Sequence, residues 1–179
     1  PLISAEHREK VAAYVDKARE QGAKILTGGR AATSEDTNGQ HGTGTTDLGA
    51  GVYYLPTIID GATREMDCVH DEAFGPTVTI ETFTTEEEAI EIANDTEYGL
   101  AGAVYTSDAG RAERVARALR HGTIWINDFH PYLPQAEWGG FKQSGNGREL
   151  GPTGLAEYQE HKHVYQNLSP AAWDQFGLQ

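Results

Sequence analysis

At 179 residues, with 38% hydrophobic and 23% charged side chains, the chain has the composition of a globular protein with a substantial core. Its formal net charge of −13 argues against a nucleic-acid backbone or an anionic membrane surface as partner. No apolar run approaches the length that spans a bilayer, and no segment resembles a secretion leader. A single cysteine, Cys68, cannot form an internal disulfide, so we expect a reducing, cytoplasmic location.

The start of the sequence indicates a piece of a longer polypeptide. The chain begins with Pro1, and its only methionine is Met66. A translated protein begins with methionine, and PLIS does not resemble the product of signal-peptide cleavage. We therefore expect a fragment.

The first third of the chain predicts a helix, a strand and a long loop. Ser4 can cap a helix whose apolar face has four residues at helical spacing: Val11, Tyr14, Val15 and Ala18. The segment AKILTGG (23–29) is typical of a strand and a turn, whereas residues 30–50 are rich in Gly, Ser, Thr and Asp and predict a mobile surface loop. In VYYLPTIID (52–60), Pro56 favours an edge strand or a strand end.

The middle of the chain alternates between strands and helices. Three segments are typical of strands: TVTIETF (77–83), GLAGAVYT (99–106) and TIWIN (123–127). Thr85 and Glu88 form a capping-box pattern before one helix, and Asp108 can cap a second helix that Gly122 would end. This order predicts an α/β fold, a parallel sheet with flanking helices and right-handed crossovers.

The irregular segment after the last of these strands is the first candidate site, because ligands gather beyond the carboxyl ends of parallel strands. It begins at Asn127 and contains Trp138, with Trp125, Phe129 and Tyr132 close in sequence. Aromatic faces of this kind bind quaternary ammonium groups through cation–π contacts. A core position for Trp138 remains the alternative interpretation.

The glycine-rich run in this segment is not a phosphate loop. Such a loop needs Gly-x-x-x-x-Gly-Lys-Ser/Thr between a strand and a helix, whereas here Lys142 lies inside the run and Gly147 ends it. The pair His161-x-His163 lacks the further ligands of a metal site. Glu72 is either a solvated acid before a strand or a carboxylate directed at a ligand hydroxyl.

Cys68 is not expected to be a nucleophile. Its acidic neighbours, which include Asp67 and Asp71, raise the pKa of a thiol, and neither a glycine turn nor a helix start presents it. After a short helix near residues 152–156, the sequence YQEHKHVYQNLS (158–169) alternates in the manner of a strand. We expect that strand to pair with a partner outside the α/β unit.

Four motifs resemble, in order and spacing, the C-terminal third of NAD(P)-dependent aldehyde dehydrogenases. They are DEAFGP (71–76), ANDTEYGLAGAVYT (93–106), GTIWIN (122–127) and EWGGFKQSGNGRELG (137–151). The resemblance extends from Pro1 to about residue 169. Within that family, a tryptophan directly before the Gly-Gly pair resembles the motif of the betaine aldehyde and aminoaldehyde dehydrogenase branch.

The resemblance implies roles for five residues. Glu72 lies where the family's glutamate binds the nicotinamide ribose, and Phe74 where its phenylalanine packs by the nicotinamide. Trp138 and Tyr132 match aromatic positions of the aldehyde tunnel. Asn127 matches an asparagine that supports the site.

Further implications concern ions and assembly. Backbone carbonyls of Lys142 and Gly145 would match a potassium site found in some betaine aldehyde dehydrogenases. The resemblance divides the chain into part of a catalytic domain (1–156), an oligomerisation strand (157–169) that makes a dimer or tetramer, and a tail (170–179). The cofactor would be NAD or NADP, a choice made by residues upstream.

The implied reaction is oxidation of an aldehyde, betaine aldehyde to glycine betaine in this branch, through a cysteine thioester. The family's nucleophile, general base and cofactor domain all precede the region present here, so the chain holds no catalytic residue and should be inactive alone. Cys68 matches an apolar position, and Ala73 replaces a larger aliphatic residue. The alternative is a self-standing, non-catalytic α/β assembly module.

Overall fold

The computed structural model describes residues 1–36 and 47–168. The chain divides into two compact units, Pro1–Ala89 and Ile90–Gln179. The helices are α1 (Ala5–Glu20), α2 (Asp67–His70), α3 (Glu86–Asn94), α4 (Ala109–Ala118) and α5 (Gly151–Ala156). The strands are β1 (Lys24–Thr27), β2 (Thr57–Asp60), β3 (Thr77–Ile80), β4 (Ala101–Val104) and β5 (Thr123–Ile126). Within the described ranges, no helix is long and apolar enough to cross a membrane.

Helix α1 forms as its sequence predicts. The Ser4 hydroxyl accepts a hydrogen bond from the His7 amide at 3.1 Å and caps the helix. On the opposite face from solvent, Val11, Val15 and Ala18 are fully buried. Burial of each valine side chain contributes about 1.5–3 kcal/mol. This face therefore packs the helix against the rest of the first unit.

The sheet of the first unit has the order β1-β2-β3. Strand β1 is antiparallel to β2, and β2 is parallel to β3 in a register that pairs Thr57 with Thr77. Because β2 is central, the prediction of an edge strand after Pro56 is wrong, while the prediction of a strand end is confirmed. Pro56 directly precedes β2, where a missing N–H costs no ladder hydrogen bond.

The predicted mobile loop, residues 30–50, is structured at both described ends. Arg30 donates two hydrogen bonds to the Asp36 carboxylate, at 2.7 and 2.9 Å, and Ala31 pairs with Tyr54 in a β-bridge. A short 3-10 helix covers Leu48–Ala50. The prediction of irregular chain is therefore wrong at these ends, whereas the mobility of the loop stays a prediction. Its central part, 37–46, lies outside the described residues.

The second unit contains a parallel pair of strands with helix α4 between them in sequence. Strand β4 pairs with β5 from Ala101 opposite Thr123 to Val104 opposite Ile126. The Asp108 carboxylate caps α4 by accepting from the Arg111 amide at 3.0 Å, as predicted.

Gly122 does not end α4, because the C-cap residue is Leu119. A Cβ atom at Gly122 would lie 1.6 Å from the carbonyl oxygen of Gly139, so the residue allows a close backbone approach instead. The cap of α3 is also altered in one detail. The Thr85 hydroxyl accepts from the Glu88 amide at 3.1 Å, but the Glu88 carboxylate accepts from Thr84 at 2.7 Å.

The α/β class, with parallel strands and flanking helices, is confirmed. The three predicted strands of the middle region belong to two sheets, because β3 pairs with β2 whereas β4 pairs with β5. Helix α5 covers the predicted short helix. In residues 157–168 the structure has no strand, since this segment has no sheet partner within the part of the chain that is described.

Candidate functional site

Glu72 and Phe74, the two residues expected at a cofactor, lie in the segment 71–76 between α2 and β3. The Glu72 side chain is exposed, and Phe74 is 73% exposed. Phe74 has φ +48, a left-handed conformation that costs a non-glycine residue on the order of 1–3 kcal/mol. A segment that presents an apolar ring to solvent from a strained backbone must be held by contacts on either side.

Those contacts come from helix α1. The His7 imidazole donates from Nε2 to the Phe74 carbonyl at 2.8 Å, and the Tyr14 hydroxyl donates to the Asp71 carbonyl at 2.7 Å. Burial, with smaller effects from Cys68 and Asp71, raises the pKa of Tyr14 to about 12. Tyr14 therefore keeps its proton, and its donor, at any physiological pH.

An apolar cleft of about 570 Å³ adjoins Phe74 in the same unit. Leu2, Tyr53 and Pro76 are among its lining residues. Its volume lies within the ~300–1,000 Å³ common for small-molecule sites. The exposed ring of Phe74 thus lies at the edge of a space large enough for another planar group.

The aromatic residues predicted near Trp138 do come together in the second unit. The rings of Trp138 and Tyr132 lie 5.1 Å apart in an edge-to-face arrangement, and those of Trp138 and Trp125 lie 5.8 Å apart. Phe129 meets Trp125 edge-on at 5.7 Å. Trp125 is buried, whereas Phe129 and Tyr132 are exposed, so Trp138 joins the core to a surface group of rings.

His130 is a member of this aromatic cluster that the sequence reasoning missed. Its ring lies 5.7 Å from Trp125, 6.0 Å from Trp138 and 6.5 Å from Tyr132, where the two planes are stacked. His130 also has φ +67. Its position directly before Pro131, in a run of aromatic residues, was the available signal.

Three members of the cluster, Trp125, Tyr132 and Trp138, line a small cleft of about 190 Å³, and Glu137 is another of its lining residues. Glu137 accepts a hydrogen bond from the Thr153 hydroxyl at 3.2 Å. Its own backbone amide and then Thr153 lower the pKa of the Glu137 carboxyl, so it is ionised at neutral pH. A small cleft lined by aromatic residues and one acidic residue favours a compact cation.

Glu149 forms hydrogen bonds with both Trp138 and Tyr132, the two residues expected at the aldehyde tunnel. It exchanges two backbone hydrogen bonds of 2.8 Å with Trp138, and its carboxylate accepts from the Tyr132 hydroxyl. This hydrogen bond is the main reason that the pKa of Tyr132 is raised. Sequence reasoning missed Glu149 because the contact joins residues at opposite ends of the irregular segment.

Asn127 lies at the carboxyl end of β5 and faces the end of β4. Its Oδ1 accepts from the Thr106 amide at 2.8 Å, and its Nδ2 donates to the Thr106 carbonyl at 2.9 Å. Both polar atoms of the side chain are thereby used by the backbone of the sheet. The supporting role of Asn127 at the site stays a prediction.

Lys142 uses its side chain within the same unit. Its ammonium donates to the carbonyls of Asn94 at 3.0 Å and Thr96 at 2.8 Å. His121 is half-buried, and burial, then the charge of Lys142, lowers the pKa of its imidazole. The carbonyl of Lys142 accepts from the Gly145 amide at 3.4 Å, a long contact. The potassium site at the carbonyls of Lys142 and Gly145 stays a prediction.

Cys68 is a structural residue in this chain. It is 5% exposed and packs with Ala18 and Ile59, and burial raises the pKa of its thiol. The prediction that no helix start presents it is wrong, since it is the second residue of α2, but it points into the core. Across the described ranges, no group of three or more His, Cys, Asp or Glu could hold a metal, so the pair His161 and His163 gains no further ligands.

Comparison with known proteins identifies the family. The model of the aldehyde dehydrogenase family matches residues 1–164. The betaine aldehyde dehydrogenase of Bacillus subtilis (strain 168) is 56% identical over 176 residues, or 98% of this chain and 34% of that protein. The peroxisomal aminoaldehyde dehydrogenase 2 of Pisum sativum is 43% identical over 97% of this chain and 32% of its own length.

Solved structures of betaine aldehyde dehydrogenases resemble this chain in both fold and sequence. A crystal structure of betaine aldehyde dehydrogenase from Staphylococcus aureus in complex with NAD+ has a TM-score of 0.88 and 48% identity, covering 99% of this chain and 33% of that one. A second crystal structure of that enzyme with NAD+ has a TM-score of 0.87. The chain therefore spans about a third of the length of these relatives. It belongs to the aldehyde dehydrogenase family.

Proposed function

We propose that this chain is the C-terminal third of an enzyme that oxidises betaine aldehyde to glycine betaine with NAD+. The observation that carries the proposal is the small cleft lined by Trp125, Tyr132 and Trp138, of which the acidic residue Glu137 is also a lining residue. A trimethylammonium group is compact, cationic and weakly hydrated, and aromatic faces attract it by about 0.5–2 kcal/mol. The betaine aldehyde dehydrogenases among its relatives support the same substrate.

Glu72 and Phe74 are proposed to contact the cofactor, the carboxylate at a ribose hydroxyl and the ring against the nicotinamide. Complexes with NAD+ among the similar structures support NAD as the cofactor. Trp138 and Tyr132 line the aldehyde tunnel, and Asn127 supports its floor. When bound, NAD+ would supply the hydride acceptor. A cysteine thiolate outside this chain would add to the aldehyde, the adduct would lose hydride to NAD+ and become a thioester, and water would hydrolyse the thioester to the carboxylate and the free thiol.

The chain alone is proposed to be inactive, because its only thiol is buried and has a raised pKa. Potassium would bind the carbonyls of Lys142 and Gly145 only with further oxygen ligands from elsewhere, since a dehydrated potassium ion needs a full ring of oxygens. The same buried thiol supports a cytoplasmic location.

Assembly is proposed through residues 157–168. Four apolar side chains in this segment are at least 77% exposed: Tyr158, Val164, Tyr165 and Leu168. An extended segment with such side chains can add to a sheet edge of a second copy, giving a dimer or tetramer. Gel filtration of the enzyme with and without residues 157–179 tests this, and an unchanged size would exclude it.

The function is tested in a chimaera in which this chain replaces the matching third of the Bacillus subtilis relative. At 56% identity most contacts with the remaining two thirds are retained. We expect NAD-dependent oxidation of betaine aldehyde by the chimaera and no oxidation by the chain alone. A folded chimaera without activity would favour the non-catalytic assembly module.

The substrate is tested at Trp138. Trp138→Ala should reduce kcat/KM for betaine aldehyde about 2- to 30-fold more than for a neutral aldehyde of similar size, which is the cation–π contribution. Trp138→Phe keeps an aromatic face and serves as the control. Equal losses for both aldehydes would remove the cation from the proposal.

A further inference from the structure

Helix α1 contacts the backbone of segment 71–76 through three residues on one face. His7, Val11 and Tyr14 are spaced by four and then three positions, so they lie above one another on successive turns. His7 donates to the carbonyl of Phe74 at 2.8 Å, and Tyr14 donates to the carbonyl of Asp71 at 2.7 Å. The two hydrogen bonds therefore hold the segment near its two ends.

The third contact is made by Val11, which lies between the other two residues on the helix, and it leaves no spare room at Gly75. A Cβ atom at Gly75 would lie 2.7 Å and 2.8 Å from the two methyl carbons of Val11, which is fully buried. The glycine thus lets the backbone lie directly on the helix. Because Val11 is fixed in the core, it sets the distance between α1 and the segment.

The direction of the two chains extends this contact over a longer stretch. As α1 proceeds from His7 to Tyr14, the residues it binds fall from Phe74 to Asp71, so the segment runs antiparallel to the helix. One turn further, Lys17 forms an ion pair with Asp67 at the start of α2. The helix therefore holds the chain from α2 to Gly75.

These contacts with α1 surround an unusual backbone conformation at Phe74. Phe74 has φ +48, and such a conformation persists only where surrounding contacts impose it. The hydrogen bonds from α1 go to backbone carbonyls and leave the side chains of Glu72 and Phe74 exposed.

We propose that His7, Val11 and Tyr14 are positioning residues for cofactor binding, because they fix the backbone from which Glu72 and Phe74 reach the dinucleotide. This rests on the proposed function, in which those two side chains contact NAD. None of the three positioning residues needs to touch the cofactor. Their loss leaves the contact groups in place but lets the backbone take other conformations, so NAD binding weakens.

The test uses the chimaera and measures the dissociation constant of NAD by calorimetry together with steady-state kinetics. Tyr14→Phe and His7→Leu each remove one hydrogen bond and should weaken NAD binding about 2- to 12-fold. The kcat at saturating NAD and the KM for aldehyde should change less than twofold. His7→Gln retains a side-chain donor and should restore affinity to within about twofold of the parent.

Lys10→Gln is the matched control, because it breaks the exposed Lys10–Glu6 pair on the same helix. It should leave NAD affinity unchanged. Hydrogen exchange provides a second readout: the amides of residues 71–77 should exchange faster in Tyr14→Phe and His7→Leu, and at the parent rate in Lys10→Gln.

Glu72→Gln separates the two proposals. If it weakens NAD binding while Tyr14→Phe and His7→Leu do not, the positioning role is overturned and the proposed function stands. If Glu72→Gln also has no effect, both the cofactor role of this segment and its positioning by α1 are overturned. Equal losses in kcat and in affinity, with lower thermal stability, would show a general structural role and would likewise overturn the positioning proposal.

Discussion

The side chain of Asn127 pairs with the backbone of Thr106 through both of its polar atoms, at 2.8 and 2.9 Å. Strands β4 and β5 end at Val104 and Ile126, so this amide continues their parallel pairing beyond the last residues of both strands. Asn127 has φ +53, a conformation that asparagine adopts more readily than most residues. One side chain therefore fixes the sheet end next to the aromatic cluster.

Replacement of Asn127 by alanine should destabilise the chain. The variant loses two hydrogen bonds, worth about 0.5–1.5 kcal/mol each. It also places alanine, which adopts positive φ less readily than asparagine, at this position. We therefore expect a loss of about 1–3 kcal/mol in the free energy of unfolding. Urea denaturation followed by circular dichroism measures it. Asn127→Gly keeps the backbone conformation without strain and should lose less. Parent-like stability in both variants would show that the amide contributes nothing.

The charge of Lys142 is expected to lower the pKa of His121. Burial is the main cause of the lowered pKa of His121, and the charge of Lys142 adds to it. Lys142→Met should therefore raise the pKa of His121, although not to its ordinary value of about 6.5 because burial remains. NMR titration of the histidine ring protons measures the change.

Lys142→Arg is the matched control, since it retains the charge and should keep the pKa of His121 low. An unchanged pKa in Lys142→Met would exclude the coupling. The methionine variant also loses both hydrogen bonds to the carbonyls of Asn94 and Thr96, so its stability should fall by about 1–3 kcal/mol.

The lowered pKa of His121 also makes the free energy of unfolding depend on pH. The folded chain favours neutral His121, whereas the unfolded chain binds a proton below about pH 6.5. The stability that His121 contributes is thus present above that pH and is lost as the pH falls through its folded-state pKa. Because Lys142→Met raises that pKa, the variant should lose less stability than the parent between neutral and mildly acidic pH.

The parts of this structure that sequence predicts are those encoded by nearby residues. The cap at Ser4, the buried face with Val11 and Val15, and the cap at Asp108 each depend on contacts within a few positions, so the pattern alone indicates them. The aromatic cluster was also predictable, because Trp125 and Trp138 flank one irregular segment.

Long-range contacts left no such pattern. The hydrogen bond between His7 and Phe74 joins residues 67 positions apart, and nothing local distinguishes His7 from a solvated histidine. The division of the predicted strands into two sheets depends on which strand is the partner, and the same apolar alternation suits either arrangement. The segment 157–168 shows the same limit, because an alternating pattern forms a strand only where a sheet edge is available to it.

The ion pair between Arg30 and Asp36 should stabilise the chain in a defined pH range. The Arg30 guanidinium and the amide of Thr33 hold the pKa of the Asp36 carboxyl well below its usual value of about 3.9. Its contribution is therefore complete above that value and is lost as the pH falls through the lower folded-state pKa. Asp36→Asn should be less stable than the parent at pH 6, and the difference should shrink below about pH 4, as measured by urea denaturation at each pH. A difference that stays constant from pH 6 to pH 3 would contradict the ionic origin of the effect.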